Sequence, residues 1–500
     1  MAIAFNNIPT TIRTPGAFVE VDNSRALKGL LANPYKVLLI GQKIAAGTAE
    51  DDVLYALTAD GLADGYFGPG SILARMANVF KGNNGNVEVY GMAVEDPAVG
   101  VAASATIQFS IALSATGASL SGTAPYNLML NGVQIKETLY SGWSNADINS
   151  AIVSTINAYS TLPCTASTNA ASALNLIAAQ VGAQGNYLDL RANYYDGQSD
   201  PKGFGDSATI TEFANGSGDP DVGSAWAVID GEQYHMIVQP YVDTANLKEV
   251  EDELADRFLP LEDMWGHGIT CVRGAHASCA TLGNARNSPH NTIMGNYDSP
   301  SAPEEWAAAL GAQVAFNLNQ DPARPLQFLQ LKGVVPPPKA SRFSRAERDI
   351  LLYDGIATNT YDSVGTPVIE RCITTYKTNA LGLPDSSYLD IQTLATLAEI
   401  RFQYKARMVN RFIIPRFKLA DDSFPVQPGS FVVTPKTLKQ ETIALFTQLR
   451  DRGLIENLAD FIDNLVIERD ASDVNRVNVL LPPDLINQFR VLAAVIQFIL

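Results

Sequence analysis

The last ten residues, Val491-Leu-Ala-Ala-Val-Ile-Gln-Phe-Ile-Leu500, are apolar except for one glutamine and stop without a polar tail. A second short extended segment, Ile12-Arg-Thr-Pro-Gly-Ala-Phe-Val-Glu-Val-Asp22, lies near the start. An uncovered strand-forming segment is a template for pairing with another chain, and an apolar patch of this kind marks an interaction site. The two ends are therefore expected to complete sheets in neighbouring copies, so that strand addition serves as an assembly joint. The residues assigned to the joint are Ile12, Phe18, Val19 and Val21 at one end, and Val491, Leu492, Val495, Ile496, Phe498 and Ile499 at the other.

Charge narrows the partners. Lys and Arg number 35 against 52 Asp and Glu, a formal charge of −17, so the bulk field repels phosphate backbones and anionic membrane surfaces. No direct nucleic-acid contact and no membrane insertion are expected. The N-terminal Met1-Ala-Ile-Ala-Phe-Asn-Asn-Ile8 has neither a basic nor an apolar signal region, which leads to the expectation of synthesis and folding in a cytoplasm. Cys164, Cys271, Cys279 and Cys372 are scattered widely enough to read as small buried hydrophobes rather than a disulfide framework.

At 500 residues the chain is long enough for several cores. Tyr35-Lys-Val-Leu-Leu-Ile-Gly41 is a continuous apolar run, which suits a strand buried on both faces. Ile72, Met76, Val79 and Phe80 follow at helical spacing, and Val87-Glu-Val-Tyr-Gly-Met-Ala-Val94 reads as the next strand, giving a β-α-β unit. Residues 97–223 then change texture to Ala, Ser, Thr, Gly and Asn, with Lys136, Arg191 and Lys202 facing nine acidic residues. Strands near 105–113, 126–135 and 186–191 and a helix over 146–159 are expected there. The α/β pattern resumes with a strand at 234–240, a helix bearing Leu247, Val250, Leu254 and Phe258, and a strand at 268–272. Pro336-Pro-Pro338 reads as a stiff linker.

Helix punctuation is clear in the last third. Ser344 with Glu347 spells a capping box ahead of a helix ending near Gly355, and Thr434-Pro435 starts a helix that Gly453 closes. Leu397, Ile400, Tyr404 and Met408 mark one face of a long helix, and strands are expected at 464–469, 476–481 and in the terminal segment. The fold class is thus α/β and α+β multidomain. The expected organisation is an N-terminal arm with a donated strand (1–30), a discontinuous α/β middle domain (31–96 and 224–335), a mostly β inserted outer domain (97–223), a C-terminal α+β core domain (336–490) and a C-terminal donated strand (491–500).

Candidate chemistry is sparse. Cys271, His276 and Cys279 fall within nine residues, flanked by His267 and His290, but their spacing is not a zinc pattern and no second Cys/His pair accompanies them. There is no Gly-x-Ser-x-Gly elbow, and the glycine runs at 41–47, 203–205 and 216–218 lack the partners of a phosphate loop. No catalytic, metal or cofactor-binding residue is assigned, and no cofactor is expected. One charge cluster stands out: Arg401, Lys405, Arg407, Arg411, Arg416 and Lys418 occupy 18 residues without an acid. It is either a solvated helix face or a contact, with an acidic helix around Glu456, Asp460 and Asp463 of another subunit or with another protein.

Several segments carry a family resemblance. Arg348-Asp-Ile-Leu-Leu-Tyr-Asp-Gly-Ile-Ala-Thr358, Ile369-Glu-Arg-Cys-Ile-Thr-Thr-Tyr376, Tyr388-Leu-Asp390, Phe417-Lys-Leu-Ala-Asp-Asp422 and Val477-Asn-Val-Leu-Leu-Pro-Pro-Asp-Leu-Ile-Asn-Gln-Phe-Arg-Val491 resemble the tail sheath proteins of contractile-tailed bacteriophages of the Mu-like kind. Thr14-Pro-Gly-Ala-Phe-Val-Glu-Val21 is similar to that family's N-terminal element. The resemblance covers roughly 1–96 and 224–500. It implies a structural protein rather than an enzyme, found in the virion tail and assembled in the host bacterial cytoplasm. Such subunits stack as six-membered rings in a helical lattice around an inner tail tube protein, meet baseplate and tail terminator proteins, and contract to drive the tube through the host envelope. The basic window becomes a possible sheath-tube or intersubunit contact, and residues 23–33 with Pro482-Pro-Asp484 become hinge candidates. A capsid or surface-array protein is the alternative.

Overall fold

The computed structural model describes residues 30–109, 113–114, 117–118, 122–169, 173–201, 208–427 and 429–499. Ile12, Phe18, Val19 and Val21 lie outside the described residues. The chain divides into two compact units, a larger one of residues 34–398 and 487–499 and a smaller one of residues 30–33 and 399–486.

The larger unit is built on a six-stranded sheet in the order Asn291–Asn296, His267–Arg273, Met236–Val238, Lys36–Gly41, Glu88–Ala93, Leu54–Ala56. The first five strands are parallel and Leu54–Ala56 is antiparallel at the edge. Both faces are covered, which is why residues 37–40 are a continuous apolar run rather than an alternating one. Val37 and Leu39 join the core beneath helices Ile72–Asn83 and Pro303–Gln320, while Leu38 and Ile40 join a second core with Val250 and Leu254 of helix Thr244–Phe258. Gly311 lets the helix Pro303–Gln320 lie close on the sheet, because a Cβ there would come within 2.5 Å of Val238 Cγ2.

Within residues 97–223, strands Ala102–Gln108, Cys164–Thr168, Leu174–Val181 and Thr209–Ala214 make an antiparallel four-stranded sheet, and Ala124–Leu130, Val133–Leu139 and Leu190–Ala192 make a three-stranded one. Asn131 and Gly132, at φ 45° and 77°, form the tight turn between Ala124–Leu130 and Val133–Leu139. The helix expected at 146–159 spans Asn145–Ala158 and carries a Ser144/Asp147 capping box. Cys164–Thr168, Leu174–Val181 and Thr209–Ala214 are not among the expected strands: the first is mostly Ala, Ser and Thr, and the second buries Gln180 while exposing Ile177, so hydrophobicity does not follow burial along them.

The insertion lies within the larger unit, to which a polar seam joins it. Gln42 Nε2 donates to Val181 O at 2.8 Å, Gln184 Nε2 to Pro240 O at 2.9 Å, and Arg273 to Tyr187 O at 2.7 Å and Asp189 Oδ1 at 3.0 Å. The triple proline likewise does not separate units. Pro336 O accepts from Tyr194 Oη, and the strands Thr358–Tyr361 and Pro367–Arg371 beyond it remain with the large sheet through the Met294–Ala357 bridge. The division falls instead inside the helix Ile391–Met408.

In the smaller unit, the helix Pro435–Asp451 starts with Thr434 accepting from Thr437 N and ends at Gly453, with φ 78°. Phe446 stacks on Phe461 at 3.9 Å between centroids, with Leu445, Leu449 and Leu454 buried in the same unit. Asp484–Leu485 pairs with Ile455–Glu456, so Asp484, the last residue of the hinge expected at 482–484, is held in a two-stranded ladder. The other hinge candidate is also held at its end: Gln403 donates to Leu31 O at 2.7 Å and accepts from Leu31 N at 2.9 Å.

Candidate assembly interface

Two features of the chain leave strand edges or apolar side chains uncovered among the described residues: a hairpin and the C-terminal tail. The hairpin pairs Val466–Arg469 with Val477–Leu480 in antiparallel register, Val466 opposite Leu480 and Arg469 opposite Val477. Its turn is rigid. Asp470 accepts from Ser472 Oγ at 2.6 Å, Asn478 Nδ2 at 2.8 Å and Asp473 N at 2.9 Å, and these bonds, the serine hydroxyl first, hold its carboxyl well below the usual range. Arg469 reinforces the turn by donating to Val474 O at 2.6 Å. Among the described residues, neither strand has a second ladder partner. Val466, Val479 and Leu480 are exposed, so the hairpin presents two open edges flanked by apolar side chains.

The C-terminal tail is the second feature, an apolar segment that pairs with no strand among the described residues. Val491, Leu492, Val495, Ile496, Phe498 and Ile499 are all exposed, Ile496 to 90% and Ile499 to 99%. Residues 487–499 form no strand with any described residue. Six large apolar side chains in nine residues facing water is an arrangement a monomer does not sustain for its own stability.

The basic window is divided by its surroundings. Arg407 Nε lies 2.5 Å and Arg411 3.1 Å from Glu441 Oε1, a buried carboxylate on the helix Pro435–Asp451. Arg407 and Arg411 thus find their counter-charge 30 or more residues further along the chain, outside the acid-free window. Arg416 and Lys418 are exposed and make no ion pair among the described residues. Beside them Ile413, Ile414 and Phe431 are more than half exposed, making the patch both cationic and apolar. Asp460 and Asp463 are exposed on the helix Leu458–Asn464.

Cys271 and Cys279 are buried thiols, and burial raises both above the ordinary thiol range, Cys279 to about 12. His276 Nε2 is bonded to Glu347 O at 3.1 Å. Among the described residues no group of three or more His, Cys, Asp or Glu is arranged to hold a metal ion, and no helix is long and apolar enough to cross a membrane.

Family models match the parts that carry this geometry. That of the phage tail sheath protein central domain matches residues 215–375, and that of the phage tail sheath C-terminal domain matches residues 384–499. The Mu-like prophage FluMu tail sheath protein of Haemophilus influenzae is 36% identical over 501 residues, with 100% of each chain covered. The chain belongs to the phage tail sheath family. It is a structural component of a phage tail, and its fold is mixed α/β and multidomain. The sheath tail protein of Desulfitobacterium hafniense matches with a TM-score of 0.50 at 12% identity, over 95% of this chain and 97% of that one. The sheath tail protein of Listeria innocua gives a TM-score of 0.47 at 10% identity, over 92% and 94%. The central-domain match begins where the inserted strand Thr209–Ala214 ends, so residues 97–214 of the insertion at 97–223 lie outside both family models.

Proposed function

We propose that this sheath subunit polymerises as stacked six-membered rings around an inner tail tube, each copy donating its C-terminal segment to the open hairpin of a neighbour, and that the lattice contracts to drive the tube through the host cell envelope. The observation that carries this reading is the pairing of donor and acceptor within one sequence: an exposed apolar tail at 491–499 and an unaccompanied hairpin at Val466–Arg469 and Val477–Leu480. The hairpin has two free edges and so accepts two strands, which fits one from the C-terminal segment and one from the segment containing Phe18 and Val19. Ladder bonds of this kind tie neighbours together while the bodies move, and the free energy of contraction is stored in interfaces rather than drawn from a cofactor. The exposed patch of Arg416, Lys418, Ile413 and Ile414 is the proposed contact for the tube or a neighbouring subunit, and the ends of the assembly meet baseplate and terminator proteins.

Removal of residues 491–500 tests the reading. The truncated subunit is expected to remain soluble and folded, because nothing else described rests on those residues, but to form no tubes by negative-stain microscopy. Long tubes from the truncated chain would falsify strand donation.

A further inference from the structure

The tail does not hang freely from the point where the hairpin ladder ends. Ile486 N donates to Leu454 O at 3.2 Å in the smaller unit, and the residues after it pack with the larger one. There Gln327 Nε2 donates to Phe489 O at 3.4 Å. Arg490 lies 2.9 Å from Asp390 Oδ1 and also donates to Gln488 Oε1. Asp390 is itself fixed: it bridges Ile373, immediately precedes the helix Ile391–Met408, and takes Arg371 at 3.2 Å. The Arg490 side chain is only 15% exposed, although Phe489 before it is 72% and Val491 after it 81% exposed. A single sequestered guanidinium between two exposed apolar residues differs from an ordinary surface ion pair, in which both partners are solvated.

We propose that Arg490 is a positioning residue, a latch on Asp390 that sets where the C-terminal arm begins. This rests on the strand-donation reading above. With the latch closed the free arm is residues 491–500, able to reach about 35 Å at roughly 3.3–3.6 Å per residue. With it open, and the long Gln327–Phe489 bond lost with it, the arm lengthens by up to the four residues after Ile486 and loses its fixed direction of departure. The effective concentration of the donor strand at a neighbour's hairpin falls roughly as the −3/2 power of arm length, so lengthening from ten to fourteen residues costs at most about 1.7-fold before direction is counted.

Trypsin tests the latch in unassembled full-length subunits. It cleaves after Arg490 only when that side chain leaves Asp390, so the parent is expected to lose residues 491–500 slowly and Asp390→Asn at least tenfold faster. Because Asp390 also holds Arg371, Arg490→Gln provides a second variant, read by hydrogen exchange over 487–490, with faster exchange expected. Arg490→Gln is also expected to elongate tubes at about half the parent rate or slower with an unchanged subunit Tm, and Arg490→Lys to recover part of the rate. Parent-like trypsin cleavage in Asp390→Asn together with parent-like exchange in Arg490→Gln overturns the latch, and so does parent-like elongation by Arg490→Gln. Tubes from the chain lacking 491–500 would instead overturn strand donation, and the trypsin readout, which needs no assembly, separates the two failures.

Discussion

The Asn131 side chain donates to Glu305 Oε1 at 2.8 Å and accepts from Ala302 N at 3.1 Å, so a turn of the insertion completes a buried ionic network of the central fold. The other members are Arg75, 2.6 Å from Glu304 and 3.0 Å from Glu305, and the Gly70 carbonyl. Burial raises the Glu305 carboxyl above its ordinary range against the pull of Arg75, which makes every donor to it count.

Asn131→Gly keeps the left-handed turn and removes only the amide. Glu305 then loses a donor and Ala302 N its acceptor, both out of contact with water, and a loss of about 1–3 kcal/mol is expected in urea unfolding. A change below about 0.5 kcal/mol would show that water replaces the amide.

Excision of residues 98–222 behind a short linker is expected to damage the larger unit rather than simply narrow the assembled particle. It would strip Asp189 from Arg273 and Asn131 from Glu305, leaving sequestered charges less compensated. The expected outcome is a subunit that is insoluble or melts several degrees below the parent. A soluble excised chain with parent-like melting would show that the seam contributes little.

The basic window separates into two behaviours. Arg407→Gln is expected to cost about 1–2 kcal/mol because it leaves the buried Glu441 with a weaker partner, whereas Arg411→Gln, more than half exposed, is expected within about 0.5 kcal/mol. Charge reversal at Arg416 and Lys418 is expected to leave the subunit Tm unchanged and slow assembly, with the difference shrinking as salt is raised. Parent-like assembly of that double variant at every salt concentration would return the exposed cations to the role of a solvated face.

Acid stability depends on His235. Its Nδ1 accepts from Lys36 N at 3.2 Å while the ring stacks on Tyr35 at 4.2 Å, and burial, then Lys36, lowers its pKa from 6.5 to about 4. In that interval the unfolded chain binds the proton and the folded one does not, so stability is fully present above about 6.5 and is lost as pH falls towards 4. Buried His267, lowered in the same direction by its surroundings, adds to the loss. One such group contributes up to about 1.4 kcal/mol per pH unit, and His235→Asn is expected to flatten the slope of urea-unfolding stability between pH 6.5 and 4. An unchanged slope would assign the acid sensitivity elsewhere.

The central strand Lys36–Gly41, the helix Thr244–Phe258, the capping box at Ser344, the N-cap at Thr434, and the apolar tail at 491–500 were legible from residue order, because burial on both faces, helical periodicity, capping and strand propensity are local properties. So was the family, through segments such as those at 348–358 and 477–491. Tertiary structure alone decided what depends on residues far apart in sequence: Asn131 meeting Glu305, Glu441 neutralising Arg407, Gln403 clasping Leu31, and Arg490 held on Asp390. A hydrogen bond or ion pair leaves no periodic trace in the chain. Polar residues are ordinary at surfaces, and only the fold shows which of them are taken out of water and so must find a partner.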